Sequence, residues 1–600
     1  MSTEPALAHP SLFPWRSSLA GFLRSPLGAV KSRWKSLLAH REDQVFLILA
    51  LLIGALVGLT VVAFILVTER LGLKIYPVGS AAYRRVLMPI AGSLTMGYLL
   101  YKYFPNARGS GVPQTKAALF AQGGFISLRT VVGKFVCTAA TLASGIPLGR
   151  EGPSVQVGAG IGSVLGRWLG LSPEKVKALL PVGAAAAIAA AFNTPMAAVL
   201  FSLEEVMGDM HAPILGSVVI ASATSWAVMR LILGNNPLFM VPQYTLVHPL
   251  EFGLYAILGV AGGFLSAAFT RMLLAMRKAF LRLPAKTRWA HPLAGGVLVG
   301  LMGWAVPQAL GVGYSYVGDA LNGNMAFRLM LLLVVLKLFA VTTSYASGNA
   351  GGIFGPALFL GAMLGGVVGS IAHHFLPAYT ATPGAYALVG MGALFAGIVR
   401  APMTSVLMIF EMTRDYAVIV PLMIANMMSL FIASWLQKEP IYEALAHQDG
   451  IHLPTLRTRE EVDQLKIPLV LRKPRQTLQA GMTVREAAAL AQTSEFSTWP
   501  VMEDEAKNQI AGVLTRGALE AALSEGKSES CLSTLINPMD FPHVHADQPL
   551  SLVLERMRST HMNMLPVVSR ADIHQLEGIV TIRDVLNSYG VVDNSKPAAS

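Results

Sequence analysis

At 600 residues, with 53% hydrophobic and only 13% charged, this chain lies far from ordinary soluble domains, where about a quarter of residues are charged. Its net charge of +12 would suit nucleic acid, but part of it flanks the first long apolar run, where membrane orientation needs it, so nucleic acid is excluded as a partner. Cys137 and Cys531 are the only cysteines, too few and too distant for a disulfide framework or a cysteine-held metal.

Residues 1–42 form a basic arm: Arg16, Arg24, Lys31, Arg33, Lys35 and Arg41 face only Glu4 and Glu42. No short apolar core with a small-residue cleavage site interrupts it, and the positive-inside rule puts the arm in the cytoplasm. Val45 to Thr68 then runs 24 residues without a charge. As a helix it is about 36 Å long, enough to cross about 30 Å of hydrocarbon. Similar stretches around 215–233, 250–270, 290–310, 329–346, 357–371 and 417–436 predict an all-α polytopic membrane domain over 43–446. From there the chain turns polar and proline-punctuated. Residues 447–475 read as a linker, 476–590 as a soluble α/β module, and 591–600 as a disordered tail.

The membrane domain repeats itself. Gly152-Pro153 is followed by Gly158, Gly162 and Gly166, and Gly355-Pro356 by Gly361, Gly365 and Gly369, an offset of 203. At an offset of 207, Gly183, Pro195, Met196, Val199, Leu200 and Glu204 meet Gly390, Pro402, Met403, Val406, Leu407 and Glu411. Glycine every fourth residue is ordinary close helix packing, but two matched blocks in the same order predict two inverted halves of tilted, broken helices. The repeat fails at two acids: Glu151 falls opposite Phe354, and Glu205 opposite Met412.

Three segments share one design, "GSGVP" (109–113), "GREGP" (149–153) and "GGIFGP" (351–356). Proline suits a first helical turn, where its missing N–H costs nothing. Glycine lets the preceding backbone turn sharply. Each elbow thus aims free N–H groups and a positive dipole end at one spot, and could hold a small anion loosely enough to release it. A Walker loop would need Gly-Lys-Ser/Thr, and a dinucleotide fingerprint needs Gly where Gln114 stands. Glu151 heads its helix, where a carboxylate and a free anion would compete. Out of context a capping acid paired with Arg150 is the favoured reading; an acid inside a membrane and the matched elbows tip the balance to function.

GSGxP, GREGP and GxFxP in this order, with a tyrosine in "KEPIYEAL" after the last membrane helix, resemble the CLC family of chloride channels and H⁺/Cl⁻ antiporters. The resemblance implies chloride bound by the Ser110 hydroxyl, the backbone N–H groups of Ile353 and Phe354, and the phenol of Tyr442. It implies that Glu151 is the gating, external proton glutamate and Glu205 the internal one, and Ser110 points to chloride rather than nitrate. With both acids present the expected activity is secondary-active H⁺/Cl⁻ antiport; a passive, voltage- or pH-gated chloride channel is the alternative. Gly355 stands where many relatives carry Ala, a change expected to leave the elbow's role intact. The resemblance also implies a homodimer with one pathway per subunit in the cell (inner) membrane.

The tail holds two similar units, 476–530 and 531–590. Gly512 and Thr515 align with Gly578 and Thr581, and "STWPVME" with "NMLPVVS". They resemble a pair of CBS motifs, which often bind adenine nucleotides through a Gly-x-x-Thr-x-x-Asp ending. Thr581 and Asp584 complete that ending in the second unit, whereas Ala518 replaces the acid in the first. At most one nucleotide site is expected, a structural or dimerising tail is the other reading, and no cofactor is required. An intramembrane metalloprotease would need H-E-x-x-H, which is missing, so no enzyme is expected. A CBS-regulated metal-ion transporter would need intramembrane carboxylate clusters in place of helix N-termini.

Overall fold

The computed structural model describes residues 42–588, apart from 76–80, 211–213, 235–237, 240, 243, 245, 452, 454–465, 493, 495, 539 and 561. The basic arm before residue 42, the tail at 591–600 and much of the expected linker lie outside the described residues. The chain divides into two compact units, up to and after residue 453.

The first unit is helical. In chain order it contains α1 (Glu42–Ile75), α2 (Ala82–Lys102), α3 (Val112–Phe120), α4 (Leu128–Ala143), α5 (Glu151–Trp168), α6 (Pro173–Phe192), α7 (Pro195–Phe201) and α8 (Leu215–Leu233). The second half continues with α9 (Glu251–Leu281), α10 (Pro292–Ala305), α11 (Tyr314–Leu321), α12 (Phe327–Ala346), α13 (Phe354–Phe375), α14 (Pro383–Val399), α15 (Pro402–Thr413), α16 (Ile419–Leu436) and α17 (Ile441–Gln448). Packing repeats between the halves: α1 lies on α8 as α9 lies on α16, and α5 on α6 as α13 on α14.

The repeated glycines make these crossings. A methyl group on Gly162 would sit 2.7 Å from the Leu179 carbonyl of α6. Gly158 and Gly183 face each other's carbonyls, and Gly361 and Gly390 do the same in the second half. Small-residue packing is therefore the local reason for the spacing, and the repeat is the reason it occurs twice.

Two acids lock the halves together. The Glu204 carboxylate accepts from the N–H groups of Met403 (3.3 Å) and Thr404 (2.8 Å) at the head of α15. Its repeat mate Glu411 accepts from Met196 (3.0 Å) and Ala197 (2.7 Å) at the head of α7. Each carboxylate supplies acceptors that the other half's helix start lacks, and each sits at a positive dipole end.

Seven described helices are long and apolar enough to cross a membrane. They include Pro173–Phe192, which a search for charge-free runs overlooks because Glu174, Lys175 and Lys177 sit in its first turns. The run expected around 290–310 is not one span. It yields α10, 14 residues ending at Ala305 before the turn at Pro307, about 21 Å and too short for the hydrocarbon layer.

The second unit holds two copies of one strand–helix hairpin pattern. In the first, β1 (Leu478–Gln479) and α18 (Val484–Gln492) lead to the antiparallel pair β2 (Thr498–Asp504) and β3 (Gln509–Thr515), then α19 (Arg516–Ser524). In the second, α20 (Leu550–Thr560) precedes the antiparallel pair β4 (Met564–Val568) and β5 (Leu576–Thr581), then α21 (Ile582–Ser588). Both hairpins slip register after the equivalent pairs Val501–Gly512 and Val567–Gly578. The copies join through Ile510 N–H to the His574 carbonyl (2.8 Å) and a shared core of Met502, Ile510, Phe541, Val568 and Leu576.

Candidate functional site: three helix starts around a buried carboxylate

The three elbows converge. Gly149 and Gly352 exchange both backbone hydrogen bonds at 2.7 Å, pinning the start of α5 against the start of α13. A methyl group on Gly152 would lie 2.6 Å from Ser110 Oγ, so the α3 elbow abuts the α5 elbow. At Gly111, φ is +109° and a side chain would run into the Gly152 carbonyl; only glycine accepts both conditions.

Glu151 is fully buried at the first position of α5. Its carboxylate accepts from the Gly355 N–H at 3.3 Å and from the Tyr314 hydroxyl. It therefore lies at the N-terminal end of α13, the helix of the opposite half. Arg150 is not its partner. That guanidinium pairs with Glu69 of α1 at 3.0 Å, which removes the reading of Glu151 as one half of a local Arg–Glu cap.

The remaining expected anion contacts surround the same elbows. Phe354 is caged by Phe192, Phe201 and Phe395, with ring centroids 4.8, 5.7 and 4.3 Å away. Its side chain is committed to packing, and only its backbone can meet a ligand. The N–H groups of Ile353 and Phe354 have no acceptor among the described residues. Ser110 Oγ, before α3, and Tyr442 Oη, on α17, are buried and hydrogen-bonded to no described group, and α3 packs on α17. Buried hydroxyls without partners are costly, and an anion accepting from both would satisfy them.

A cavity of about 410 Å³ lies beside the α3 elbow, lined by Gly109, Pro113 and Tyr345 but by none of the expected anion contacts. Arg108, Arg288 and the ion pair of Arg277 with Asp449 (2.5 Å) line it, a net positive wall, and Tyr345 Oη accepts from the Ser110 N–H at 3.2 Å. Cationic walls of this kind raise the local concentration of anions.

Glu205 lies in a π-helical turn, Ser202–Met207, that follows α7. It is 6% exposed, so it is not an acid at a helix end reaching water. Lys116 of α3, 7% exposed, holds it at 2.8 Å and stands 3.7 Å from Glu443, the neighbour of Tyr442.

The sequence model described as Voltage gated chloride channel matches residues 92–434, more than half of the chain. The chain belongs to the voltage gated chloride channel (CLC) family. A CBS domain model matches residues 533–590. The H(+)/Cl(-) exchange transporter ClcA of Vibrio campbellii is 34% identical over 357 residues, 58% of this chain and 76% of that one. The crystal structure of a slow cyanobacterial Cl-/H+ antiporter superposes with a TM-score of 0.62 at 26% identity, over 67% of this chain and 97% of that one. A eukaryotic CLC transporter shares the fold over 90% of this chain and 97% of its own, with a TM-score of 0.61 at 21% identity. The protein is thus an integral multi-pass membrane protein of CLC fold with a CBS-type tail.

Four residues of this CLC site escaped the sequence reading: Lys116, Tyr314 and the pair Lys134 and Lys337. Lys134 donates to the carbonyls of Ala107 (3.1 Å) and Gly109 (2.5 Å), fixing the loop that carries Ser110. Lys337 does the same for Ala309 (3.1 Å) and Gly311, before Tyr314. The two lysines are 203 residues apart, so the offset of the elbows would have revealed them. Gly355 also matters more than expected. A methyl group there would sit 2.8 Å from Tyr314 Oη and 3.1 Å from Glu151 Oε2, so alanine would crowd the contact between them.

Thr581 and Asp584 lie together at the start of α21, but their groups are spent internally. The Thr581 hydroxyl donates to Asp584 at 2.7 Å, and Arg472 pairs with the other carboxylate oxygen at 2.6 Å.

Proposed function

We propose that the protein exchanges chloride for protons across the cell (inner) membrane, as a homodimer with the basic arm and the CBS tail on the cytoplasmic side. The observation that carries this reading is the carboxylate of Glu151 lying at the N-terminal end of α13, the kind of place that binds anions. Chloride and the tethered carboxylate compete for the free N–H groups of Ile353 and Phe354 and the hydroxyls of Ser110 and Tyr442. Protonating Glu151 removes its charge, so the side chain leaves and chloride takes its place. Glu205 supplies protons from the cytoplasmic side. Relatives named as H(+)/Cl(-) exchange transporters support the same assignment.

A second reading, passive chloride conduction, is favoured by the Lys116–Glu205 pair, because a side chain tied into a buried ion pair is not free to swing as a proton carrier. Purified protein in liposomes, followed at once by chloride and pH electrodes, separates the two. Exchange predicts that a chloride gradient drives protons uphill. Chloride flux without proton movement would leave conduction.

For the tail we propose a structural role without nucleotide. Arg472 and Thr581 already occupy the Asp584 carboxylate, and Ala518 removes the acid from the other unit. Millimolar ATP or AMP should leave the thermal unfolding of the full chain unchanged; a rise of several degrees would refute this.

A further inference from the structure

Glu151 meets a group that the exchange reading does not use. The Tyr314 hydroxyl donates to one carboxylate oxygen while the Gly355 N–H reaches the other. Tyr314 opens α11, directly after Gly313, whose φ is +86°. In the first half α3 opens directly after Gly111, with φ +109°. Lys134 holds the loop before α3, and Lys337 the loop before α11. The two loops are repeat mates. One carries Ser110, and the other brings a phenol to the carboxylate.

The phenol is fixed in place. Its ring meets Phe239 edge-on, with centroids 5.9 Å apart, and the Arg150 guanidinium lies 5.7 Å from the ring centre. Arg150 is in turn tied to Glu69. Gly355 leaves the space the hydroxyl fills. A single methyl group on Gly355 would press on it.

We propose that Tyr314 is a positioning residue of the transport cycle, a latch whose hydroxyl holds the Glu151 side chain at the N-terminal end of α13. The proposal rests on the gating reading of Glu151. A hydroxyl donated to a carboxylate favours the ionised form. The latch therefore keeps the gate shut until proton concentration is high enough to release it. The groups facing the carboxylate are Tyr314 from α11, the Gly355 N–H from α13 and, by electrostatic interaction, Tyr442 from α17. Arg150 and Glu69 stand behind the phenol and neutralise each other.

Tyr314→Phe keeps the ring and removes only the latch. Bonds to charged groups are worth roughly tenfold or more in an equilibrium. The pH of half-maximal chloride flux should therefore rise by about one unit, with chloride binding at fixed pH about tenfold tighter. Gly355→Ala, which crowds the hydroxyl, should move both in the same direction. In the Glu151→Ala background, Tyr314→Phe should change neither. A pH profile and chloride affinity unmoved by Tyr314→Phe, in a protein whose Glu151→Ala form is uncoupled, would overturn the latch alone. A Glu151→Ala form that still couples protons would overturn the gate and the latch with it.

Discussion

With Glu151 replaced by alanine, chloride should continue to cross the membrane while coupled proton movement falls to background and flux loses its pH dependence. The expectation follows from what meets at the elbows. Glu151 is the acid that approaches the start of α13, and Arg150, its neighbour in the chain, is committed to Glu69. Glu205 is clamped by Lys116 and cannot take over. Removal also eliminates the tethered competitor, so chloride should bind more tightly. The fold should tolerate the change. A buried acid in a first helical turn contributes up to about 2 kcal/mol, and the Gly149–Gly352 bridge that pins α5 to α13 is untouched. Simultaneous chloride and pH recordings from liposomes decide the matter. Coupling at the wild-type ratio in Glu151→Ala would show that the proton travels by another group, and the account of this pocket would fail.

What could be read from the sequence divides by the range of the interaction. The elbows were legible because glycine and proline act on their own backbone, and three such segments stand out wherever they occur. The halves were legible because Gly152 and Gly355, like Glu204 and Glu411, keep their offsets. The break after α10 was not. A charge-free run gives length but not the place where Val306-Pro307 turns the chain. Tyr314 and Lys116 were invisible for another reason. Their partners are 163 and 89 residues away, and nothing local marks a tyrosine or a lysine as a long-range partner. Lys134 and Lys337 were readable in principle. Each looks like a stray charge in an apolar helix until the two are set against the repeat, and then each is seen to hold the loop before an elbow.

Lys116→Met should cost more than any surface substitution and should act on protons rather than chloride. Three ionisable groups share the site, with one cation between Glu205 at 2.8 Å and Glu443 at 3.7 Å. A buried pair gives little net stability over a well-packed apolar pair, yet removing one partner strands the other, at a cost of about 3–5 kcal/mol. Glu205 can escape that cost by keeping a proton, and an acid that keeps its proton no longer passes protons on. The variant should therefore unfold at a lower temperature and move protons poorly, while chloride flux, which the proposed function assigns to Ser110, Tyr442 and the elbow N–H groups, persists. Adding Glu205→Gln removes the stranded charge, so the double variant should regain part of the lost stability without regaining proton flux. Lys116→Arg, which keeps the charge, should retain both. Thermal unfolding and paired-electrode flux of the wild type, Lys116→Met, Glu205→Gln and the double variant read this cycle, and additive effects of the two substitutions would mean that Lys116 and Glu205 do not work as a unit.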